Sequence, residues 1–320
     1  MRILIYGTGV QGSIYGTLLA NNGHNVAFLA RGPRALQLRS VGLQLQGVVD
    51  QSDVRLARPT VVESLEPEDD YDLCLVTVRR EQIDAVLPAL EGSTVSQVAF
   101  MHNHADGSQR LMRQVGERRT IIAFPGAGGS LADDGVVRYA LIPEQATMVG
   151  RFGRNLEGAD LIVKTFRAAG LKVCAVSDPD AWLRRHAVMV GAITGALWEF
   201  ACNANKLAES NDGVADFIRA VREGYRALDA AGVRPAPLAL RAIFSWMPLQ
   251  LSVAYWKRYL GSWRGELFFA AHARHAASEM AQITDEVAVV MRSTRVLTPT
   301  FDRLRRAIPA VGSLDALPVE

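Results

Sequence analysis

Lysine is scarce in this chain of 320 residues: Lys164, Lys172, Lys206 and Lys257 are the whole set, so nearly all of the 35 cationic side chains are arginine. Burial can bring a lysine toward neutrality and make it a proton donor, whereas arginine stays charged to above about pH 12. Chemistry that needs a tunable cation therefore has few residues to draw on. Cysteine is scarcer still, with Cys74, Cys174 and Cys202 odd in number, far apart and set in apolar stretches. This excludes a disulfide framework and metal-ligand spacing, and fits buried thiols in a reducing, cytoplasmic compartment. The longest nearly uninterrupted apolar stretch, 187–198, falls short of the roughly 20 residues that cross a bilayer. The first apolar run meets a glycine after a few residues, unlike a secretory leader. A net charge of +2 is too near balance to imply a nucleic-acid or membrane partner. Acidic residues are missing altogether before Asp50.

Against these absences stands a dense signal at the start of the chain. An apolar strand, Ile3 to Tyr6, runs into Gly7-Thr8-Gly9-Val10-Gln11-Gly12 and then into a helical pattern that stops at Asn21-Asn22-Gly23. A second strand, His24 to Ala30, completes a βαβ unit of roughly 30 residues, the context in which G-x-G-x-x-G means a dinucleotide site. Gly7 permits the tight turn, Gly9 a close approach of a pyrophosphate, and Gly12 the packing of helix on strand, while N–H groups at the helix start meet the phosphates. An NAD site usually places Asp or Glu about 20 residues past the glycines. Here Arg31 stands at that place, with Arg34 close behind. A guanidinium there can hold a 2′-phosphate through two parallel hydrogen bonds, so the expected cofactor is NADP, as NADPH.

Tyr71–Val78 and Ser96–Met101 are continuous apolar runs, the mark of strands buried on both faces. Arg79 follows the first, and His102-Asn103-His104 the second; polar residues at a strand's carboxyl end are ligand candidates in an open α/β sheet. Residues 42–46 and 54–62 alternate as a hairpin or edge pair would, and Gly126-Ala-Gly-Gly129 is expected to interrupt the strands. Strands at 136–141 and 146–150 are expected to extend the sheet, followed by a helix and a last strand at 172–176. Ser177-Asp178-Pro179 reads as a helix start. Beyond it only helical periods occur, among them one long helix expected over 266–294. The fold class is thus α/β plus all-α: a doubly wound Rossmann-type domain over 1–176, then a helical substrate and catalytic domain over 177–320.

The glycine fingerprint at the N-terminus, an arginine after the second strand, His-Asn at a later strand end and a helical second half together resemble the ketopantoate reductase family. Asp134-Gly-Val-Val-Arg138 and Ser278-Glu279 fall at matching places. The resemblance implies reduction of a 2-oxo acid with NADPH in a cleft between the domains. It implies cofactor contacts from Gly7, Thr8, Gly9, Val10, Gln11, Gly12, Arg31, Arg79 and Asn103, and catalytic roles for Asn103, Glu279 and Arg185. Asn103 would lie near the nicotinamide and substrate, and Glu279 would orient the substrate. The departures are pointed. Arg185 stands where the family has a lysine general acid, and Arg79 replaces another lysine. Met189 and Ile193 replace asparagines, Leu267 a serine, and Ala281 and Thr284 an Asp and an Asn; His104 replaces a glycine. The reading is a retained cofactor site with a more apolar substrate pocket. The expected activity is NADPH-dependent reduction of ketopantoate or a related small carbonyl compound; the alternative is a non-catalytic NADP-binding regulator that kept the fold. No metal is expected, and a homodimer is compatible with the sequence without being required by it.

Overall fold

The computed structural model describes residues 1–234 and 241–309. They form two compact units: Met1–His102 with Gly107–Pro179, and Asn103–Asp106 with the chain from Asp180 onward.

The first unit is built on an eight-stranded sheet with the order β12-β11-β8-β7-β6-β1-β2-β5. Its centre is β1 (Arg2–Tyr6), β2 (Asn25–Leu29), β6 (Leu73–Val76), β7 (Gln97–Met101) and β8 (Thr120–Phe124), all parallel. β5 (Thr60–Val62) closes one edge in parallel, and at the other β11 (Thr147–Gly150) runs antiparallel to β8 with β12 (Val173–Val176) beside it. The central strands are buried almost throughout, as expected of apolar runs with helices on both faces. Those helices are α1 (Val10–Asn21), α2 (Gly32–Val41), α3 (Ile83–Glu91), α4 (Gln109–Val115) and α5 (Leu156–Ala168). The strand order reverses where β1 lies beside β6, the switch point at which such sheets bind ligands.

A second sheet, β4-β3-β10-β9, departs from expectation. β3 (Leu43–Gly47) and β4 (Val54–Ala57) pair antiparallel as read, but β10 (Val137–Leu141) joins β3 here and not the main sheet. The glycines at 126–129 do not end the pattern: Ala127–Leu131 is strand β9, antiparallel to β10. Glycine there serves closeness, since a Cβ on Gly129 would crowd the Arg138 carbonyl and come within 3.2 Å of Val10 in α1.

The helical unit comprises α6 (Pro179–Glu199), α7 (Ala204–Glu209), α8 (Asn211–Ala230), α9 (Leu249–Leu260), α10 (Ala271–His275), α11 (Ala277–Arg292) and α12 (Pro299–Ala307). Its core draws Val188 and Ile193 of α6, Phe217 and Val221 of α8, Ile283 and Val287 of α11 and Leu304 of α12 into one cluster. The single helix expected over 266–294 is divided. A π-helical turn covers Gly265–Ala270, and Ala276 leaves helical geometry at φ −132°, ψ 34°. An aromatic-rich helical segment is expected from the sequence over 238–260, and its first residues lie outside the described residues. Glu223, buried on α8, caps another helix: its carboxylate accepts the Thr300 and Phe301 N–H groups at 2.9 and 3.0 Å, at the start of α12. An acid there satisfies two orphan donors and meets the positive end of the helix dipole.

Candidate cofactor and substrate site

The first turn of the chain is shaped by contacts that only glycine allows. Gly7 has φ +111°, and a Cβ on it would sit 2.8 Å from the Val78 nitrogen. A Cβ on Gly12 would land on the Gly7 carbonyl and lie 2.7 Å from the Thr77 hydroxyl. Thr77, just past β6, donates its hydroxyl to that same carbonyl at 2.6 Å and so ties the turn to the neighbouring strand. Gly9 differs, because a Cβ there would meet no protein atom within 4 Å. The protein's own packing does not require glycine at that position, so the space it leaves open is space for something else.

Gly9 is also the N-cap of α1, with no side-chain cap and no acid in the first turn. The leading N–H groups of a helix have no intrahelical acceptors, and here no side chain supplies one. An uncapped, unneutralised helix start beside an open Cα is a cradle for a diphosphate. The residues present therefore fit a dinucleotide. Gln11 braces the cradle by donating Nε2–H to the Ala127 carbonyl at 2.9 Å; its buried Oε1 has no partner among the described residues.

Past β2, Arg31 is exposed and is the N-cap of α2, its Nε–H donated to the Glu63 carbonyl at 2.8 Å. Sequence reading ranked Arg31 first and missed how closely Arg34 is engaged. Arg34 reaches back to the glycine turn, donating to the Thr8 carbonyl at 3.2 Å and the Ser13 hydroxyl at 3.0 Å, with Gln37 Oε1 at 2.6 Å. Desolvation holds its pKa below the usual arginine value. Arg79 is exposed; its backbone N–H is bonded by Gln82 Oε1 at 3.1 Å, and its guanidinium stands 4.0 Å from Glu81.

Asn103, two residues beyond β7, is 7% exposed, and its Oδ1 is buried without a hydrogen-bond partner among the described residues. A buried amide oxygen left unpaired costs about 1–3 kcal/mol, so it is retained only where something else is to pair with it. His102 and His104 beside it are buried too, His102 with its ring edge-on to Phe100 at 5.9 Å.

In the helical unit Glu279 lies in the first turn of α11 and is buried, at 7% exposed, where the helix dipole favours a carboxylate. The expectation for Arg185 changes. Its side chain is 2% exposed and committed to the end of α8 and the loop after it. It donates to the carbonyls of Tyr225 at 2.9 Å, Val233 at 2.8 Å and Arg234 at 3.1 Å, pairs with Asp229 at 2.5 Å, and lies 5.2 Å over the Tyr225 ring. This guanidinium closes a helix C-terminus and has little left for a substrate oxygen. Met189 and Ile193 belong to the apolar core, and Thr284 is fully buried with its hydroxyl bonded to the Met280 carbonyl at 2.5 Å.

His186 cannot replace the missing acid. It stacks on Trp182 at 5.1 Å, and burial, aided by repulsion from His272, pushes its pKa down to about 3. It is neutral at pH 7 and has no proton to lend as an imidazolium. The depressed native value also makes a pH prediction. Between about pH 6.5 and 3 the unfolded chain binds a proton that the native chain refuses, so stability should fall with falling pH by about 1.4 kcal/mol per unit below pH 6.5. Urea midpoints at pH 7.0 and 5.0 test this, and His186→Gln should flatten the profile; identical profiles for both proteins would refute it.

A doubly wound sheet whose glycine turn opens an uncapped helix, carried on one chain with an all-helical unit, defines a Rossmann-type fold. The model of the family "Ketopantoate reductase PanE/ApbA" matches residues 3–154, a little under half of the chain. Its sequence is 29% identical over 193 residues to the 2-dehydropantoate 2-reductase of Archaeoglobus fulgidus, an alignment covering 60% of this chain and 62% of that one. The chain thus spans less than two thirds of that relative. The Pyrococcus abyssi 2-dehydropantoate 2-reductase is 26% identical over 231 residues, 71% of this chain and 73% of its own. Among solved structures, D-mandelate dehydrogenase with NADH and anilino(oxo)acetate superposes with a TM-score of 0.75 at 17% identity, covering 96% of this chain and 97% of that one. A PanE/ApbA family ketopantoate reductase from Ralstonia eutropha gives 0.73 at 18%, with the same coverage. At such identities the likeness is one of fold. Among the described residues no cluster of His, Cys, Asp and Glu could hold a metal, and no helix is long and apolar enough to cross a membrane.

Proposed function

We propose that the chain is an oxidoreductase that reduces a small 2-oxo acid, ketopantoate or a related carbonyl compound, to the 2-hydroxy acid with NADPH. The observation that carries this reading is the uncapped start of α1 beside Gly9, open where the fold itself has no need of openness. Gly7 to Gly12 would hold the diphosphate, and Arg31 and Arg34 the adenosine end. The bound nicotinamide would supply hydride to the carbonyl carbon. The chain's part is to bind, orient and shield: the Asn103 amide can hydrogen-bond at the reacting end, and Glu279 can accept from a substrate hydroxyl. The 2-dehydropantoate 2-reductases among the relatives and the NADH-bound D-mandelate dehydrogenase of like fold support a nicotinamide cofactor and a 2-oxo acid substrate.

NADP is favoured over NAD by the arginine at the N-cap of α2 and by the absence of any acid there. Calorimetric titration should show NADPH binding more tightly than NADH, with Arg31→Ala removing most of the difference. Equal affinities in the unmodified protein would end the argument. For the reaction itself, loss of nicotinamide absorbance with ketopantoate and other 2-oxo acids is the test; NADPH binding with no turnover on any of them would favour the regulator reading.

A further inference from the structure

Asn103–Asp106 follow β7 after one residue yet pack with the helical unit, and the two backbone polar atoms of one residue hold them there. The Ala105 N–H donates to Glu286 Oε2 at 2.9 Å, and the Ala105 carbonyl accepts Nε–H of Arg184 at 3.1 Å. Glu286 is on α11 and Arg184 on α6. The carboxylate is itself held, since Gln282, one turn earlier, donates to its Oε1 at 3.2 Å. Ala105 is 1% exposed, and Gly107, just beyond the segment, has φ +96°. The terminal nitrogens of Arg184 make no hydrogen bond among the described residues, so there its guanidinium bonds to Ala105 alone. Two opposite charges spent on the backbone N–H and C=O of a single alanine are more than backbone satisfaction demands, because hydrogen bonds with an ionised partner are about twice as strong as neutral ones.

We propose that Arg184 and Glu286 are positioning residues: by gripping both backbone polar atoms of Ala105 they fix the direction of the Asn103 amide, two residues away. The inference rests on the reading in which Asn103 meets the reacting carbonyl. A hydrogen-bonding group serves a reaction only if it is held to within about 0.5 Å of its productive place, and a short loop ending at a left-handed glycine does not hold itself so closely. Neighbouring helix positions point about 100° apart, so Arg184 and Arg185 serve different ends. Arg185 closes α8, and the cation of α6 that reaches the strand-end loop is Arg184.

The test uses the full-length protein and the variants Arg184→Met, Arg184→Lys, Glu286→Ala and Asn103→Ala, alone and combined. Hydrogen exchange of the 102–107 segment is read without cofactor, and NADPH-dependent turnover of ketopantoate and a panel of 2-oxo acids is read beside it. Arg184→Met and Glu286→Ala should each speed exchange at the Ala105 amide about ten-fold, the effect of losing one net hydrogen bond. Each should lower kcat about as much, with NADPH affinity unchanged and with Arg184→Lys recovering most of the loss. Added to Asn103→Ala, neither should lower kcat further. Unchanged exchange in both clamp variants would overturn the proposal. So would kcat losses that add in full to that of Asn103→Ala. Faster exchange together with full activity of Asn103→Ala would leave the clamp standing and sink the role given to Asn103, so the two failures are distinguishable.

Discussion

Arg185→Met is expected to destabilise the helical unit by about 3 kcal/mol, the largest loss of stability from any single substitution considered in this chain. The guanidinium is 2% exposed and bonded to three carbonyls and a carboxylate around the end of α8. Methionine would match its stem and none of its donors. Removing one partner of a buried pair usually costs about 3–5 kcal/mol, but Asp229 is 59% exposed and its carboxylate would rehydrate, which places the expectation at the lower end. All five tryptophans, Trp182, Trp198, Trp246, Trp256 and Trp263, lie in this unit, so urea unfolding followed by indole fluorescence reads it selectively. A change below about 1 kcal/mol would show that the carbonyls find other donors.

The same contacts predict what the family-like substitutions would do. Lysine at 185 offers one compact ammonium to acceptors spread around a planar fork, so Arg185→Lys should also destabilise, by less. Met189→Asn would set an amide into an apolar core at a site 8% exposed. Neither change, nor the pair, is expected to raise turnover of ketopantoate. A faster double variant would mean that α6 turns this face to the substrate after all.

What could be read from the sequence was local. Gly7, Gly9 and Gly12 are close together and lie between a strand and a helix, so spacing alone places the cradle. Buried runs such as 73–76 announce central strands because both faces are covered. What could not be read depended on partners far along the chain. Thr77 supports Gly7 across 70 positions, and Arg34 folds back over the turn from 26 positions away. The glycines at 126–129 looked like breakers because nothing local shows that Val10 would lie against them. The helix break at Ala276 has no proline or glycine to announce it. The contacts of Arg185 could not be read for a related reason. Its partners lie 40 to 49 positions away, and two adjacent arginines in a helix cannot be told apart by spacing alone.

Asn103→Ala should be neutral or slightly stabilising for the fold and yet lower kcat by about 10²-fold, the usual cost of one hydrogen-bond donor aimed at a developing oxyanion. The two halves rest on the two ends of one amide: the loss of turnover on its Nδ2–H donor, and the effect on the fold on its oxygen. Oδ1 of Asn103 is buried with no partner among the described residues, so the folded chain carries a desolvation cost that alanine would relieve. A position kept at such a cost is one where stability has been given up for a ligand not yet present. Glu279→Ala should also spare NADPH affinity, while lowering kcat/KM about ten-fold, because its carboxylate is assigned to the substrate and not to the phosphates. The measurements are urea unfolding by tryptophan fluorescence, NADPH titration by calorimetry, and steady-state turnover of the best 2-oxo acid in the panel. The decisive combination is stability held and turnover lost. If Asn103→Ala instead unfolds the helical unit more easily while its turnover is intact, the amide serves the fold, and the reacting end must be sought elsewhere.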